Sequence, residues 1–341
     1  MLALDALPRD HPQVPILVAL TNDLVAALFL AAIVVLVGAT SFHFLIWRKT
    51  ALPLGPVRDA TNEQMFAMVV QWGVWSAAAL VLLAGPRAAG VAALLDDRFS
   101  LGSRMAALLF RSEWGIGFGT TLVAGVLALA GYLLVKFHRN FGWALVVLSV
   151  PALGIGCGLM GHPFDAFATL TAAPIFDGLH ALGVGAWLGS FFFLILAERR
   201  VHAHTASPWT DPLGAMIERY FRASGALATA VLLTGLFSSA THLTGFDDIS
   251  GTQYGRLLAG KVGIVCILMV FNEFLRRHAE RQARTTERPQ LVRTLRFQAA
   301  LILLVMALTA LLVDVPPPGV NEVRGDVFHS ASRDAVNTAI P

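Results

Sequence analysis

Three histidines follow one another at the edges of three successive apolar runs. His162 comes directly after the fourth run, in Met160-Gly161-His162. His180 lies about a turn and a half inside the start of the fifth, and His242 stands at the end of the sixth. If the runs cross a bilayer in alternating directions, all three imidazoles approach the same face. Asp177 precedes His180 by three residues and so shares its side of a helix. Met160, Cys157, Asp165, Asp247 and Asp248 fall at a similar depth. Imidazole suits copper and zinc, thioether and thiolate suit Cu(I), and a carboxylate can bind directly or orient an imidazole. The set therefore fits capture of a metal ion at one membrane face. The plainer reading is that histidines at span ends sit in the interface and bind nothing.

The remaining polar groups divide more simply. Lys261 lies about two turns inside the seventh run; it can snorkel to the interface or face the bundle and pair with Asp177, which suits a structural or gating role. Cys266 and Met269, three apart on one face of that run, are candidate soft stepping stones for a metal moving inward. Cys157 and Cys266 lie at different depths, so no disulfide is expected. His43 is near the inner end of the first run. His138, His202, His204 and His278 fall in basic loops, and His11 and His329 in the tails. None of these asks for a special role.

The elements that must position these groups are membrane helices. Apolar residues make up 56% of the 341, charged residues only 14%, and the mean hydropathy is +0.67. That is too little charge to cover a soluble core of this size. Several runs exceed the roughly 18–20 residues that cross a bilayer, and their lack of strict alternation selects helices over a barrel. The expected fold is all-α: a polytopic bundle of about eight spans, near 24–47, 64–84, 115–136, 141–160, 175–197, 222–243, 255–275 and 294–314. Residues 88–110 are expected to form a long loop with an interfacial helix. Ser112-Glu113-Trp114-Gly115 and Thr252-Gln253-Tyr254-Gly255 open the third and seventh runs with the same pattern of residue types, as two parallel four-helix halves would. The implied organisation is an outer tail over 1–23, a first half over 24–160, a second over 161–314 and a disordered outer tail over 315–341.

Arg and Lys cluster in the loops after the first, third, fifth and seventh runs, which should then be cytoplasmic, leaving both termini outside. The loop after the second run breaks the pattern with Arg87, Arg98, Arg104 and Arg111. A net charge of +3 concentrated in loops points to membrane orientation and away from nucleic acid. The first 23 residues have no basic stretch before their apolar part, so no cleaved signal peptide is expected. No P-loop, dinucleotide-binding glycine pattern, H-E-x-x-H or nucleophile elbow occurs, and an enzyme is not expected.

The second half resembles the CopD copper-resistance family over about residues 155–318. The matching pieces are Gly161-His162, the segment HALGVGAWLG from His180 to Gly189, the stretch from Arg222 to Gly235, Tyr254-Gly255-Arg256-Leu257-Leu258 leading to Lys261, Asn272, and a proline run from Pro316. Gly189-Ser190 departs from the family's common Gly-Gly, and Glu273 from a common basic residue. The resemblance implies a copper-handling protein of the bacterial inner membrane, a copper permease or importer, often beside a periplasmic copper-binding partner. His162, His180 and His242 are then the ligands, with Met160 and Asp177 beside them. Two other readings remain open: a b-type haem held by His180 and His242, or a scaffold that delivers copper to a periplasmic protein.

Overall fold

The computed structural model describes residues 16–50, 56–93, 100–160, 173–201, 212–240, 247–282, 297–301 and 304. The elements are α1 (Ile16–Ser41), continued by a π-helical turn (Phe42–Trp47), α2 (Pro56–Ala93), α3 (Leu101–Arg111), α4 (Glu113–Leu134), α5 (Arg139–Met160), and α6 (Ala173–Val184). A second π-helical turn (Gly185–Gly189) joins α6 to α7 (Ser190–Val201), followed by α8 (Pro212–Ala240), α9 (Asp247–Gly251) and α10 (Gln253–Gln282). No strand occurs among the described residues. Among the described residues, seven helical stretches are long and apolar enough to cross a membrane: Thr21–Trp47, Asp59–Ala93, Glu113–Leu134, Arg139–Met160, Pro174–Arg200, Ala215–Ser239 and Gly255–Phe274. The protein is a multi-pass helical membrane protein. Of the eighth apolar run only 297–301 and 304 are described, and these are helical.

The second span is longer than its hydropathy suggests. Its helix runs through Pro86 to Ala93, where a loop was expected from residue 88. Ala88, Val91 and Ala92 are buried, so packing continues past the proline and outweighs the backbone hydrogen bond it removes. At 1.5 Å per residue the 38-residue helix is about 57 Å long, well beyond the ~30 Å hydrocarbon layer. After it, α3 is the short amphipathic helix expected there, with Leu108 buried and Phe110 exposed.

The two matching tetrapeptides form the same structure. Ser112 Oγ accepts from the Gly115 amide at 3.1 Å, and Thr252 Oγ1 accepts from the Gly255 amide at 2.9 Å. Each hydroxyl caps a membrane helix, satisfying an amide that has no partner within the helix. Each capped helix is preceded by a short one, α3 or α9.

Glycines set the helix crossings, as small residues do in membranes. A Cβ on Gly154 would meet Leu182, one on Gly178 would meet the Gly154 carbonyl, and one on Gly158 would meet the Pro174 carbonyl; these pack α5 on α6. The other glycines of these spans face elsewhere. Gly156 lies against Thr121 of α4, Gly183 against Val231 of α8, and Gly185 against Val37 of α1. Gly189 and Gly38 meet backbone to backbone where α1 crosses the π-turn. Trp187, Phe191 and Phe193 are buried there rather than facing lipid.

His43 is also interior. Its ring stacks on Trp143 of α5 with centroids 4.0 Å apart and planes 11° from parallel, and Phe44 stands edge-on. Beside it Thr40 and Tyr132 share a 2.9 Å hydrogen bond. This aromatic cluster joins α1, α4 and α5.

Candidate functional site

The end of the bundle where α6 begins and α8 finishes holds a group of polar side chains. His180 sits two turns into α6 and leans across to α8. Its Nδ1 is 3.0 Å from the Val231 carbonyl oxygen and 3.3 Å from Thr234 Oγ1. A carbonyl only accepts, so Nδ1 carries the hydrogen and Nε2 keeps its lone pair. The Thr234 hydroxyl spends its own hydrogen on the Ala230 carbonyl at 2.7 Å, which leaves its oxygen free to accept from Nδ1. An imidazole whose second nitrogen is fixed by a backbone carbonyl has the arrangement found in metal-ligating histidines.

Gly235 makes room for the ring. A Cβ there would lie 2.7 Å from His180 Cε1 and 3.0 Å from Nδ1. One turn earlier on α6, Asp177 accepts a hydrogen bond from Ser238 of α8. Phe176 and Phe237 stack beside this pair, with ring centroids 3.8 Å apart. Three polar contacts and one aromatic contact thus bind the start of α6 to the end of α8. Lys261 of α10 lies within electrostatic range of His180, as does Asp177.

Asp177 and His180 therefore stand together as the sequence suggests. Met160 ends α5 and packs on the hydrophobic core, with its backbone nitrogen close to Gly117 of α4. His162 and His242, the other two expected histidine ligands, lie outside the described residues. Among the described residues, no three His, Cys, Asp or Glu side chains are grouped closely enough to hold a metal ion. Both cysteines are free: Cys157 is partly buried, and Cys266 is exposed on α10. Met269, the other proposed stepping stone, packs partly buried against the core.

Sequence reasoning passed over the α8 side of the site. Val231 contributes only a carbonyl, and Gly235 contributes the absence of a side chain. Thr234 and Ser238, spaced i and i+4 near the end of an apolar run, were the visible signal. A second polar group lies about three turns away along α8 and α10, around the Asn272 that the resemblance includes. There Asn272 Nδ2 donates to Ser224 Oγ at 2.8 Å, and Gln298 Nε2 approaches Asn272 Oδ1 at 3.5 Å. All three residues are buried.

Of the helices that build this site, α8 from residue 214 onward and α10 fall within one matched segment, and α6 precedes it. Residues 214–312 match CopD, copper resistance protein D. The similarity to this family covers a little under a third of the chain. His180 and Asp177 precede the matched residues, whereas Val231, Thr234, Gly235, Ser238, Lys261 and Asn272 lie inside them. No curated protein matches the chain, and no solved structure does.

Proposed function

We propose that this protein is a non-enzymatic copper permease of the bacterial inner membrane that takes up copper at His180. The observation that carries the reading is the 3.0 Å contact between His180 Nδ1 and the Val231 carbonyl, which leaves Nε2 as a lone-pair donor, with Asp177 one turn earlier on the same helix. An imidazole and a carboxylate at the rim fit a first station for a copper ion arriving from outside. His162 and His242 complete the proposed donor set, with Met160 nearby.

The orientation follows from charge. Arg219 donates to the Leu45 carbonyl at 3.3 Å and Arg200 to Gln71 at 3.3 Å, which ties basic groups together at the end of the bundle opposite His180. By the positive-inside tendency that end is cytoplasmic, so the His180 end and both termini are periplasmic. A periplasmic copper-binding protein would then meet the His180 end. The inward path runs along α10 past Cys266 and Met269.

Elemental analysis of the purified protein tests this reading. About one copper per chain is expected in the wild type and none in His180→Ala. Copper kept by the variant, or none bound by either protein after loading with Cu(I) and Cu(II), sinks it. A haem Soret band in the wild type would instead favour axial ligation through the same Nε2.

A further inference from the structure

Two guanidinium groups at the end of the bundle opposite His180 rest on aromatic rings. Arg48 directly follows the span Thr21–Trp47, and Arg139 opens the span Arg139–Met160. The Arg48 guanidinium lies over the Phe44 ring, 5.5 Å from its centroid. Phe44 in turn stands edge-on to Trp143, with centroids 5.2 Å apart. Trp143 is one turn along α5 from Arg139 and on the same face. The Arg139 guanidinium lies over the Phe66 ring of α2, 5.2 Å from its centroid. One aromatic cluster therefore carries both cations, and both act electrostatically on the His43 imidazole within it.

Both residues are exposed, and neither guanidinium forms an ion pair or hydrogen bond with a described residue, Glu63 near Phe66 on α2 included. Four other arginines at this end are engaged. Arg222 bonds Glu218, Arg277 bonds Glu273, Arg200 bonds Gln71 and Arg219 bonds the Leu45 carbonyl. Arg139 opens α5, whose first turn holds no acid, so the positive end of the helix dipole is left uncompensated there. Toward the membrane interior the surface turns apolar. Val147, one turn past Trp143 on the same face of α5, is exposed, and Phe44 is only partly buried. A cationic rim above an apolar wall, at the edge of two spans, matches a molecule with an anionic head and hydrocarbon tails.

We propose that Arg48 and Arg139 hold the phosphate of an anionic phospholipid whose acyl chains lie along α1 and α5. Guanidinium groups offer paired N–H donors to phosphate oxygens. Stacking on Phe44 and Phe66 positions them without consuming those donors. A zwitterionic phospholipid brings the same phosphate with a cation of its own, which the two arginines repel. A soluble phosphate offers the same oxygens but nothing to the apolar wall. The site is separate from His180 and does not depend on the copper reading.

Native mass spectrometry of the full chain in non-ionic detergent, titrated with phosphatidylglycerol, phosphatidylcholine or inorganic phosphate, tests this. The wild type should bind phosphatidylglycerol more tightly than phosphatidylcholine. A basic side chain at the membrane surface strengthens binding of anionic lipid about fivefold. Arg48→Gln and Arg139→Gln should therefore each weaken phosphatidylglycerol about fivefold, and the double variant about twenty-fivefold, with phosphatidylcholine unchanged. Either single variant suffices if the double variant does not fold. Arg222→Gln, which removes an arginine already paired with Glu218, should bind as the wild type does. Equal affinity of the wild type for the two lipids, or a preference that survives in the double variant, overturns the site. An equal loss in Arg222→Gln assigns the preference to the general charge of this end and overturns it too. Inorganic phosphate that displaces phosphatidylglycerol at similar concentration overturns the lipid in favour of a soluble anion.

Discussion

The Cα of Gly235 faces the imidazole of His180 so closely that a Cβ would lie 2.7 Å from Cε1. The neighbour that would have to give way is a side chain, which can move, unlike backbone. Gly235→Ala should therefore swing the ring away, lengthen the 3.0 Å contact with Val231 and lower copper content, while thermal unfolding stays close to wild type. Elemental analysis and a melting curve on the same sample check both halves. Full copper content in the variant would mean that ring orientation is not what holds the ion.

Thr234 is the second acceptor for His180 Nδ1, at 3.3 Å, behind the Val231 carbonyl. Groups behind a metal-binding histidine typically matter by about 10–100-fold in affinity. Thr234→Val keeps the shape and leaves the carbonyl in place, so the loss should fall at or below about tenfold. His180→Ala should abolish binding. Competition titration against a chelator of known affinity separates the two. Equal losses would assign Thr234 a direct contact with the ion.

The paired caps make a prediction about stability. Ser112 and Thr252 each accept from the amide three residues on, at 3.1 and 2.9 Å. Replacing such a cap by alanine costs about 1 kcal/mol. Ser112→Ala and Thr252→Ala should each lower unfolding stability by that amount, and the costs should add, because the caps belong to different helices. Ser112→Thr and Thr252→Ser should cost little, since each keeps an oxygen in place. Denaturant unfolding in detergent reads all four variants.

These caps show what a sequence can convey. A hydroxyl, a polar residue, an aromatic and a glycine are local information, and the local structure they encode was legible. The spans were legible for a similar reason, since a helix that must bury its backbone in lipid announces itself by length and apolarity alone. The end of the second span was not, because Ala88, Val91 and Ala92 hold the helix past Pro86 through contacts with distant residues. The site divides along the same line. His180 and Asp177 share a helix face and were visible as a pair. Val231, Gly235 and the Asn272–Ser224 anchor depend on which helix lies opposite, and hydropathy does not carry that. His43 looked like an ordinary residue at a span end, yet it stacks on Trp143 in the interior, because the partner ring comes from a span a hundred residues away.

The crossing of α1 with the second π-turn offers the sharpest structural test. A Cβ on Gly189 would lie 2.6 Å from the Gly38 Cα, and one on Gly38 would meet the Gly189 backbone. Neither neighbour is a flexible side chain, so α1 and the π-turn must move apart to admit even a methyl group. Overpacking of this kind typically costs about 1–3 kcal/mol. Trp187 and Phe191, buried on either side of Gly189, would lose packing in the same displacement. Gly189→Ala and Gly38→Ala should each destabilise the protein by that amount, measured by thermal unfolding in detergent. The double variant should cost less than the sum, since one separation of the helices accommodates both methyl groups. Gly225→Ala on α8, where a Cβ meets open space, is the matched control and should leave stability unchanged or slightly higher. If Gly189→Ala melts with the wild type, the crossing does not depend on direct backbone contact, and the apolar side chains around it must hold α1 in place.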